Sequence, residues 1–170
     1  AHKDMNFYTF IDSTCALSSY FVKFAKEGFK NVSCKQLFEN IRKIGIQAEK
    51  DMFLKTKGVN THKGMIFLMG IACAAAGRVI RDKQSFKNIR KTIIKMTSGI
   101  VKNELENIDP NKKMTYGEKI YLDYKIKGVK GEVEAGMPII FEFSLDFFDE
   151  CSDLSINNRL VHTLIGIMQI

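Results

Sequence analysis

Several protein classes have features that this 170-residue sequence lacks. It has two prolines, twelve glycines and no low-complexity stretch, which excludes a collagen-like or disordered chain. Its longest apolar stretch, residues 65–76, covers about twelve residues, whereas a membrane-spanning helix needs roughly twenty. Charged and polar residues at positions 2–6 occupy the place of a signal peptide's apolar segment. We therefore expect a globular, cytoplasmic chain without a membrane partner, in which residues 65–76 form a core helix.

The cysteines are few and scattered, and none belongs to a CxxC pair or has a histidine at metal-ligand spacing. The four are Cys15, Cys34, Cys73 and Cys151. This distribution is more typical of reduced thiols in the cytosol than of a disulfide framework. It also argues against a zinc site.

Arginine is scarce as well, with five residues against 21 lysines in a chain of net charge +7. Proteins that read nucleic-acid sequence usually use arginine for bidentate contacts to bases. The lysines are spread along every segment, which is typical of solvated helix faces. The charge suits an anionic ligand such as a polyphosphate better than RNA, so we expect no nucleic-acid partner.

The apolar periodicity predicts a mainly α fold, a single-domain helical bundle over residues 1–170. Capping-box patterns occur at Ser33–Gln36 and Thr115–Glu118, and Gly28 is a stop signal. The predicted helices cover about residues 4–27, 34–48, 61–80, 85–105 and 155–170, with a break at Asp109–Asn111. Residues 120–126 and 139–147 alternate apolar with other residues, as strands do. They leave open a minor alternative, an α+β fold with a short hairpin.

Three polar clusters are candidate sites. In the first, Asp4 and Asp12 are eight residues apart, which places both carboxylates on one face of a predicted helix. The alternative is a helix cap for Asp4 and a surface position for Asp12. The second, Gly58–Gly64, lies where the most hydrophobic helix begins, and a helix N-terminus favours an anion. Its spacing is not that of a Walker motif, and an ordinary turn with an N-cap is the alternative.

The third cluster, residues 128–138, surrounds two carboxylates, Glu132 and Glu134, with three glycines. Magnesium is commonly held by one or two carboxylates together with substrate phosphates, and a carboxylate can deprotonate a sugar hydroxyl. A solvated loop in which Glu134 pairs with Lys130 explains the same residues.

Taken together, these motifs resemble the triphosphoribosyl-dephospho-CoA synthase family, the CitG-type proteins of the citrate lyase and malonate decarboxylase systems. The resemblance extends in order over nearly the whole chain. It is carried by Ala1–Met5, Thr9–Ser13, Gly58–Gly64, Ala74–Arg78, Tyr116–Lys119 and Gly131–Gly136.

The resemblance implies a mainly α fold and a transferase that joins ATP to 3′-dephospho-CoA and releases adenine. The product is the precursor of a prosthetic group, which a second enzyme loads onto an acyl-carrier subunit. The transition state resembles an oxocarbenium ion, which carboxylates stabilise. The sequence leaves open which of the two systems is served. Phenylalanine is abundant enough to leave room for a homodimer interface.

Residue roles follow as hypotheses. Asn60, His62 and Lys63 contact the triphosphate, and His62 is also a candidate acid for the departing adenine. The candidate Mg²⁺ ligands are Asp4, Asp12, Glu132 and Glu134. The candidate catalytic residues are Asp12, His62, Glu132 and Glu134. Glu118 is a weaker candidate for a magnesium ligand or a general base. Lys3 and Lys130 add phosphate contacts.

Family members carry segments before and after this stretch, so we expect the domain to be incomplete at both ends. A member or fragment that binds nucleotide or CoA without catalysis is the alternative function. A basic helical module that binds RNA or a protein partner is a weaker alternative.

Overall fold

A computed structural model describes residues 4–108 and 114–169. These residues form helices and no strand, which confirms the mainly α prediction. The α-helices are α1 (Phe7–Gly28), α2 (Cys34–Lys55), α3 (Lys63–Arg81), α4 (Asn88–Thr97), α5 (Tyr116–Tyr124), α6 (Gly128–Glu134), α7 (Leu145–Glu150) and α8 (Ile156–Ile167). Two π-helical segments cover Lys102–Glu106 and Ile139–Ser144. The predicted break at Asp109–Asn111 lies outside the described residues.

The chain divides into two compact units, residues 1–97 and residues 98–170. The first contains α1 to α4, and the second contains the remaining helices. The core of the first unit consists of fully buried apolar side chains from all four helices. They include Leu17, Phe24, Leu37, Met52, Ile66, Ile71 and Ile93.

Helices α1 and α3 approach each other backbone to backbone. A Cβ atom on Gly77 would overlap the carbonyl oxygen of Ala25, and one on Gly28 would overlap that of Ala74. Further along α3, a Cβ on Gly70 would lie 3.1 Å from the ring of Phe24. Glycine is therefore required at the two crossing positions, because any side chain there would push the helices apart.

Arg78 joins the same two helices by hydrogen bonds. Its buried guanidinium donates to the carbonyl oxygens of Gly28 (3.1 Å), Lys30 (3.0 Å) and Val32 (2.8 Å). Carbonyl groups at a helix C-terminus have no partner within the helix, so this side chain satisfies that of Gly28, the last residue of α1, and two in the turn that follows. The Ala74–Arg78 motif thus has a structural role in the helix crossing.

Helix α3 is, among the described residues, the one helix long and apolar enough to pass for a membrane-crossing segment by length and composition. Eight of its residues are buried, including Ile66, Gly70 and Ala74. The helix packs against α1, α2 and α4 within the first unit. This burial is what the predicted core helix requires.

The second unit has short helices where the alternating sequence allowed strands. Residues 120–124 belong to α5, which opens with a complete capping box between Thr115 and Glu118, as predicted. Residues 139–147 are helical too, and none of them is fully buried. Alternation over a helical stretch spreads apolar side chains around the axis, so no single face is deeply buried. The α+β alternative is therefore wrong.

Three boundaries differ from the predictions. Asp4 precedes α1, whose N-cap is Asn6, so Asp4 and Asp12 do not share a helix face. The predicted fourth helix starts at Asn88 and ends at Thr97, because Gly99 has a φ of +83° and interrupts it. Residues 128–134 form a helix, not a solvated loop.

Candidate functional site

The loop between α2 and α3 reverses the chain with left-handed backbone at two successive residues. Lys57 has a φ of +55° and Gly58 a φ of +90°. The Thr56 hydroxyl lies 2.9 Å from the carbonyl oxygen of Met52 and 2.6 Å from that of Val59, which holds the turn against α2. The first glycine of the Gly58–Gly64 motif is therefore set by backbone conformation.

The N-terminus of α3 presents backbone donors. The side-chain oxygen of Asn60 accepts from the amide of Lys63 at 3.2 Å. The amides of Gly64 and Met65 donate to no atom in the described part of the chain. A Cβ on Gly64 would meet nothing within 4 Å, so the space beside it is open. Free amides at the positive end of a 19-residue helix favour an anion, as the sequence predicts.

His62, the residue before α3, is held by contacts from α1 and α2. Its Nδ1 lies 2.7 Å from Oγ of Ser13, and the Thr61 hydroxyl donates to the same Ser13 oxygen at 2.7 Å. The Phe10 ring meets the imidazole edge to face, with centroids 5.2 Å apart. The His62 amide donates to Sδ of Met52 at 3.3 Å. The half-buried imidazole is thus fixed at the start of the helix.

Lys63 forms an ion pair with Glu49 of α2, with 3.0 Å between Nζ and Oε2. The lysine side chain is 55% exposed, so its ammonium group stays accessible. Surface ion pairs contribute little to stability, and a polyphosphate can replace the carboxylate as partner. The predicted phosphate contact is compatible with this position.

Tyr20 joins α1 to α2, two of the helices that hold His62. Its buried hydroxyl donates to Asp51, which also accepts from Gln47 at 3.0 Å. Burial raises the pKa of Tyr20 to about 12, and the hydrogen bond to Asp51 adds to the effect. The same bond, followed by that from Gln47, lowers the pKa of Asp51. Asp51 is therefore an ionised structural acceptor.

The predicted acidic residues of the first unit are both exposed. Asp12 has no hydrogen bond or ion pair with the described part of the chain, which leaves its carboxylate open. It immediately precedes Ser13 on α1. Asp4 lies in a bend before α1. Lys3, a predicted phosphate contact, lies outside the described residues.

In the second unit, Glu132 and Glu134 both accept backbone hydrogen bonds. Oε1 of Glu134 accepts from the amides of Gly99 (2.8 Å) and Val101 (3.4 Å). Oε1 of Glu132 accepts from the amide of Ile139 at 2.9 Å. Each carboxylate therefore caps the start of another helical segment with one oxygen.

The alternative explanation of this cluster paired Glu134 with Lys130, and it is wrong. Lys130 pairs instead with Glu104, with 3.0 Å between Nζ and Oε2. Glu118, the weaker candidate, belongs to a capping box with Thr115. Its carboxylate accepts from the Thr115 amide, and its own amide donates to the Thr115 hydroxyl, so the carboxylate is already engaged. Hydrogen bonds to its carboxylate from the Thr115 amide and then from the Thr115 hydroxyl lower the pKa of Glu118.

No group of three or more His, Cys, Asp or Glu side chains suited to a metal ion occurs among residues 4–108 and 114–169. The described cysteines are all free. Magnesium commonly needs only one or two protein carboxylates beside substrate phosphates, and the open Asp12 fits that donor set. The predicted Mg²⁺ set of Asp4, Asp12, Glu132 and Glu134 stays a prediction.

Sequence reasoning singled out His62 and Lys63 but missed the residues that position them. Ser13 and Glu49 act through contacts between positions distant in the sequence, which no local spacing reveals. One signal was available for Ser13, since it precedes Leu17 by four residues and so lies on the apolar stripe of α1. A hydroxyl on such a stripe needs a partner.

Comparison with known proteins identifies the family. A model of the family described as CitG, ATP:dephospho-CoA triphosphoribosyl transferase, matches residues 1–170. The chain belongs to the CitG family. This match confirms the resemblance found in the motifs.

Curated relatives agree with this assignment. The chain is 42% identical to the protein CitXG of Leuconostoc mesenteroides subsp. cremoris, over 98% of the chain and 37% of that protein. It is 40% identical to a probable 2-(5''-triphosphoribosyl)-3'-dephosphocoenzyme-A synthase of Lactiplantibacillus plantarum, over 99% of the chain and 60% of the relative. A Vibrio cholerae protein of the same name is 35% identical, over 99% and 56%. The CitG-family chain thus spans about 37% to 60% of these relatives. No solved structure matches it.

Proposed function

We propose that this CitG-family chain is part of a transferase that joins the triphosphoribosyl group of ATP to the ribose 2′-hydroxyl of 3′-dephospho-CoA. The observation that carries the proposal is the family match over residues 1–170. The donors gathered at the N-terminus of α3 support it, because they suit a polyphosphate. In this reaction the bond between C1′ of the ATP ribose and adenine breaks, and the electron pair leaves with adenine. The 2′-hydroxyl oxygen then bonds to C1′ and gives up its proton to a base.

The triphosphate is held at the start of α3. Lys63 supplies a positive charge there, and the amides of Gly64 and Met65 supply backbone donors. Asn60 uses its side-chain oxygen on the Lys63 amide, which leaves its NH₂ group for a phosphate oxygen. Fixed donors of this kind bind an anion with little reorganisation.

Carboxylates supply the base and any metal ligands. Asp12 is the first choice in the first unit, since its carboxylate is open. In the second unit Glu132 and Glu134 each keep Oε2 for chemistry, because their hydrogen bonds to amides engage Oε1. Bound Mg²⁺ would neutralise charge on the triphosphate. Lys130 can add a phosphate contact only by leaving Glu104.

The proposal extends to the setting of the reaction. We expect the reaction to take place in the cytoplasm. Its product would pass to the enzyme that loads an acyl-carrier subunit of citrate lyase or malonate decarboxylase. We expect no nucleic-acid or membrane partner, and a homodimer is compatible with the chain's many phenylalanines.

Adenine release tests the function. The full protein that contains this chain is incubated with ATP, 3′-dephospho-CoA and Mg²⁺, and adenine is measured by chromatography. Release that requires both substrates supports the transferase. ATP binding without release would instead support the alternative, a nucleotide-binding protein or fragment without catalysis.

The variant Lys63→Ala tests the triphosphate contact. We expect the KM for ATP to rise about tenfold, while the KM for 3′-dephospho-CoA changes little. Lys50→Ala is the matched control, since it removes the same charge from an exposed position next to Glu49 on α2. If only dephospho-CoA binding changed in Lys63→Ala, the assignment of Lys63 to the triphosphate would be wrong.

A further inference from the structure

Ser13 is a fully buried hydroxyl whose two polar partners determine where its proton goes. In the described part of the chain its oxygen contacts only Oγ1 of Thr61 and Nδ1 of His62, each at 2.7 Å. Thr61 donates its own proton to Ser13. A buried hydroxyl donates its proton to an acceptor, and the remaining acceptor is Nδ1 of His62. The chain of donors therefore runs from Thr61 through Ser13 to His62.

A ring nitrogen that accepts a hydrogen bond carries no proton. This contact with Ser13 therefore corresponds to the tautomer of His62 that carries its proton on Nε2. Phe10 contacts the ring of His62, and Met52 accepts from its backbone amide. These contacts fix the orientation of the imidazole, and with it the direction in which Nε2 points. Nε2 has no partner in the part of the chain that the structure describes, and it remains available to a ligand.

The backbone amides and the lysine at the start of α3 are donors as well. The amides of Gly64 and Met65 and the ammonium group of Lys63 all suit phosphate oxygens. A neutral imidazole that gave away its Nε2 proton would become an imidazolate, which is unfavourable. His62 in this state therefore donates a hydrogen bond well and is a poor acid.

We propose that Ser13 and Thr61 are positioning residues that hold the imidazole of His62 in the tautomer protonated on Nε2. His62 then binds the triphosphate as a hydrogen-bond donor, and the proton that leaves with adenine comes from another source. The tautomer rests on the structure of the first unit alone. The role toward the triphosphate rests on the proposed function.

The first experiment measures the tautomer without any activity. The full protein is labelled with ¹⁵N in its histidine rings, and spectra are recorded at slightly alkaline pH. His62→Gln identifies the signals of His62 by their loss. We expect a protonated Nε2 and an unprotonated Nδ1 in His62, and a mixture of tautomers in Thr61→Val. A proton on Nδ1 in the parent protein would overturn the proposal, even if no adenine release were found.

The second experiment separates a hydrogen-bond donor from an acid. The side-chain amide of glutamine can place a donor near the position of Nε2, but it cannot protonate adenine. We expect kcat/KM for ATP to fall about a hundredfold in His62→Ala, as when a donor to a transition-state anion is removed, and at most about tenfold in His62→Gln. Equal losses in the two variants would return His62 to the role of acid.

A third comparison tests the positioning role itself. Thr61→Val removes the hydroxyl with little change in shape, and Thr61→Ser retains it. We expect the KM for ATP to rise about tenfold in Thr61→Val and to return near the parent value in Thr61→Ser. The same KM in both variants would show that the hydroxyl has no part in the site. Thr61 is only partly buried, so we expect both variants to fold, whereas a substitution at the fully buried Ser13 can prevent folding.

Discussion

In the first unit, α1 and α3 meet directly through the backbone at Gly28 and Gly77, and the buried guanidinium of Arg78 completes the contact. In the second unit, carboxylates supply the missing partners of helix N-termini, as Glu134 does for Gly99 and Val101. The first kind of contact depends on close steric fit between distant segments. The second depends on single hydrogen bonds to amides.

The difference follows from helix length. The first three helices have 22, 22 and 19 residues, whereas α5 to α8 have between 6 and 12. Isolated helices shorter than about 12 to 15 residues are marginal in water, so the short ones depend more on their caps. Substitutions that add atoms at a close contact should therefore lower the free energy of unfolding most in the first unit. In the second unit, substitutions of capping residues should show what stabilises the short helices.

Gly77→Ala should have the largest effect. The new Cβ would overlap the carbonyl oxygen of Ala25, and backbone atoms cannot rotate away as a side chain can. We expect the free energy of unfolding to fall by about 3 kcal/mol, measured with urea. Gly64→Ala, in open space on the same helix, is the control and should change it by less than about 1 kcal/mol. Equal effects would show that the helices do not meet closely at Gly77.

Arg78→Met should be nearly as damaging. Methionine retains the apolar stem but leaves the carbonyl groups of Gly28 and Val32 without their Arg78 donor, while Lys30 keeps Arg81. We expect a loss of about 2–3 kcal/mol in the free energy of unfolding. Arg81→Met serves as the comparison, because Arg81 is more exposed and reaches only the Lys30 carbonyl beside its pair with Asp82. A loss for Arg81→Met as large as that for Arg78→Met would contradict the assignment.

Glu134→Ala tests the capping contact of the second unit. It removes the acceptor of two amides, so we expect a loss of about 1–2 kcal/mol and faster hydrogen exchange at Gly99 and Val101. Glu134→Gln keeps a carbonyl oxygen and should lose less than half as much. Exchange at both amides that stayed as slow in Glu134→Ala as in the parent would exclude the cap.

The glutamine variant also separates structure from chemistry. A large fall in kcat for adenine release in Glu134→Gln, with stability nearly retained, would assign a chemical role to Oε2. Unchanged turnover would leave Glu134 with the capping role alone.

Local patterns predicted much of this fold. The caps at Ser33 and Thr115 were visible because an N-cap side chain and the amide it binds are three residues apart. The start of α3 was visible for a similar reason, in the glycines and polar residues before an apolar run. The extension of the fourth helix past Gly99 was wrong, since apolar periodicity does not reveal a left-handed residue.

The candidate site was only half visible in the sequence. His62 and Lys63 were predicted from their place before α3, but Ser13 and Glu49, which hold them, lie 49 and 14 residues away in the chain. The spacing of Asp4 and Asp12 suggested a shared helix face that the start of α1 at Phe7 excludes. Glu132 and Glu134 were predicted for chemistry, and their backbone partners were not foreseen because those contacts need the fold.

The smallest expected effect concerns the capping box at the start of α5. Hydrogen bonds from the Thr115 amide and side chain lower the pKa of Glu118, so the ionised carboxylate stabilises the fold. That stabilisation is present above the unfolded pKa of about 4.3 and is lost as the pH falls through the lower folded value. Thr115→Ala removes the side-chain bond and keeps the backbone one. We expect the pKa of Glu118 to rise partway to its usual value in an NMR titration, and stability at neutral pH to fall by about 0.5–1 kcal/mol. An unchanged pKa would mean that the backbone amide alone lowers it, and the second unit's caps would then owe less to side chains than its sequence indicates.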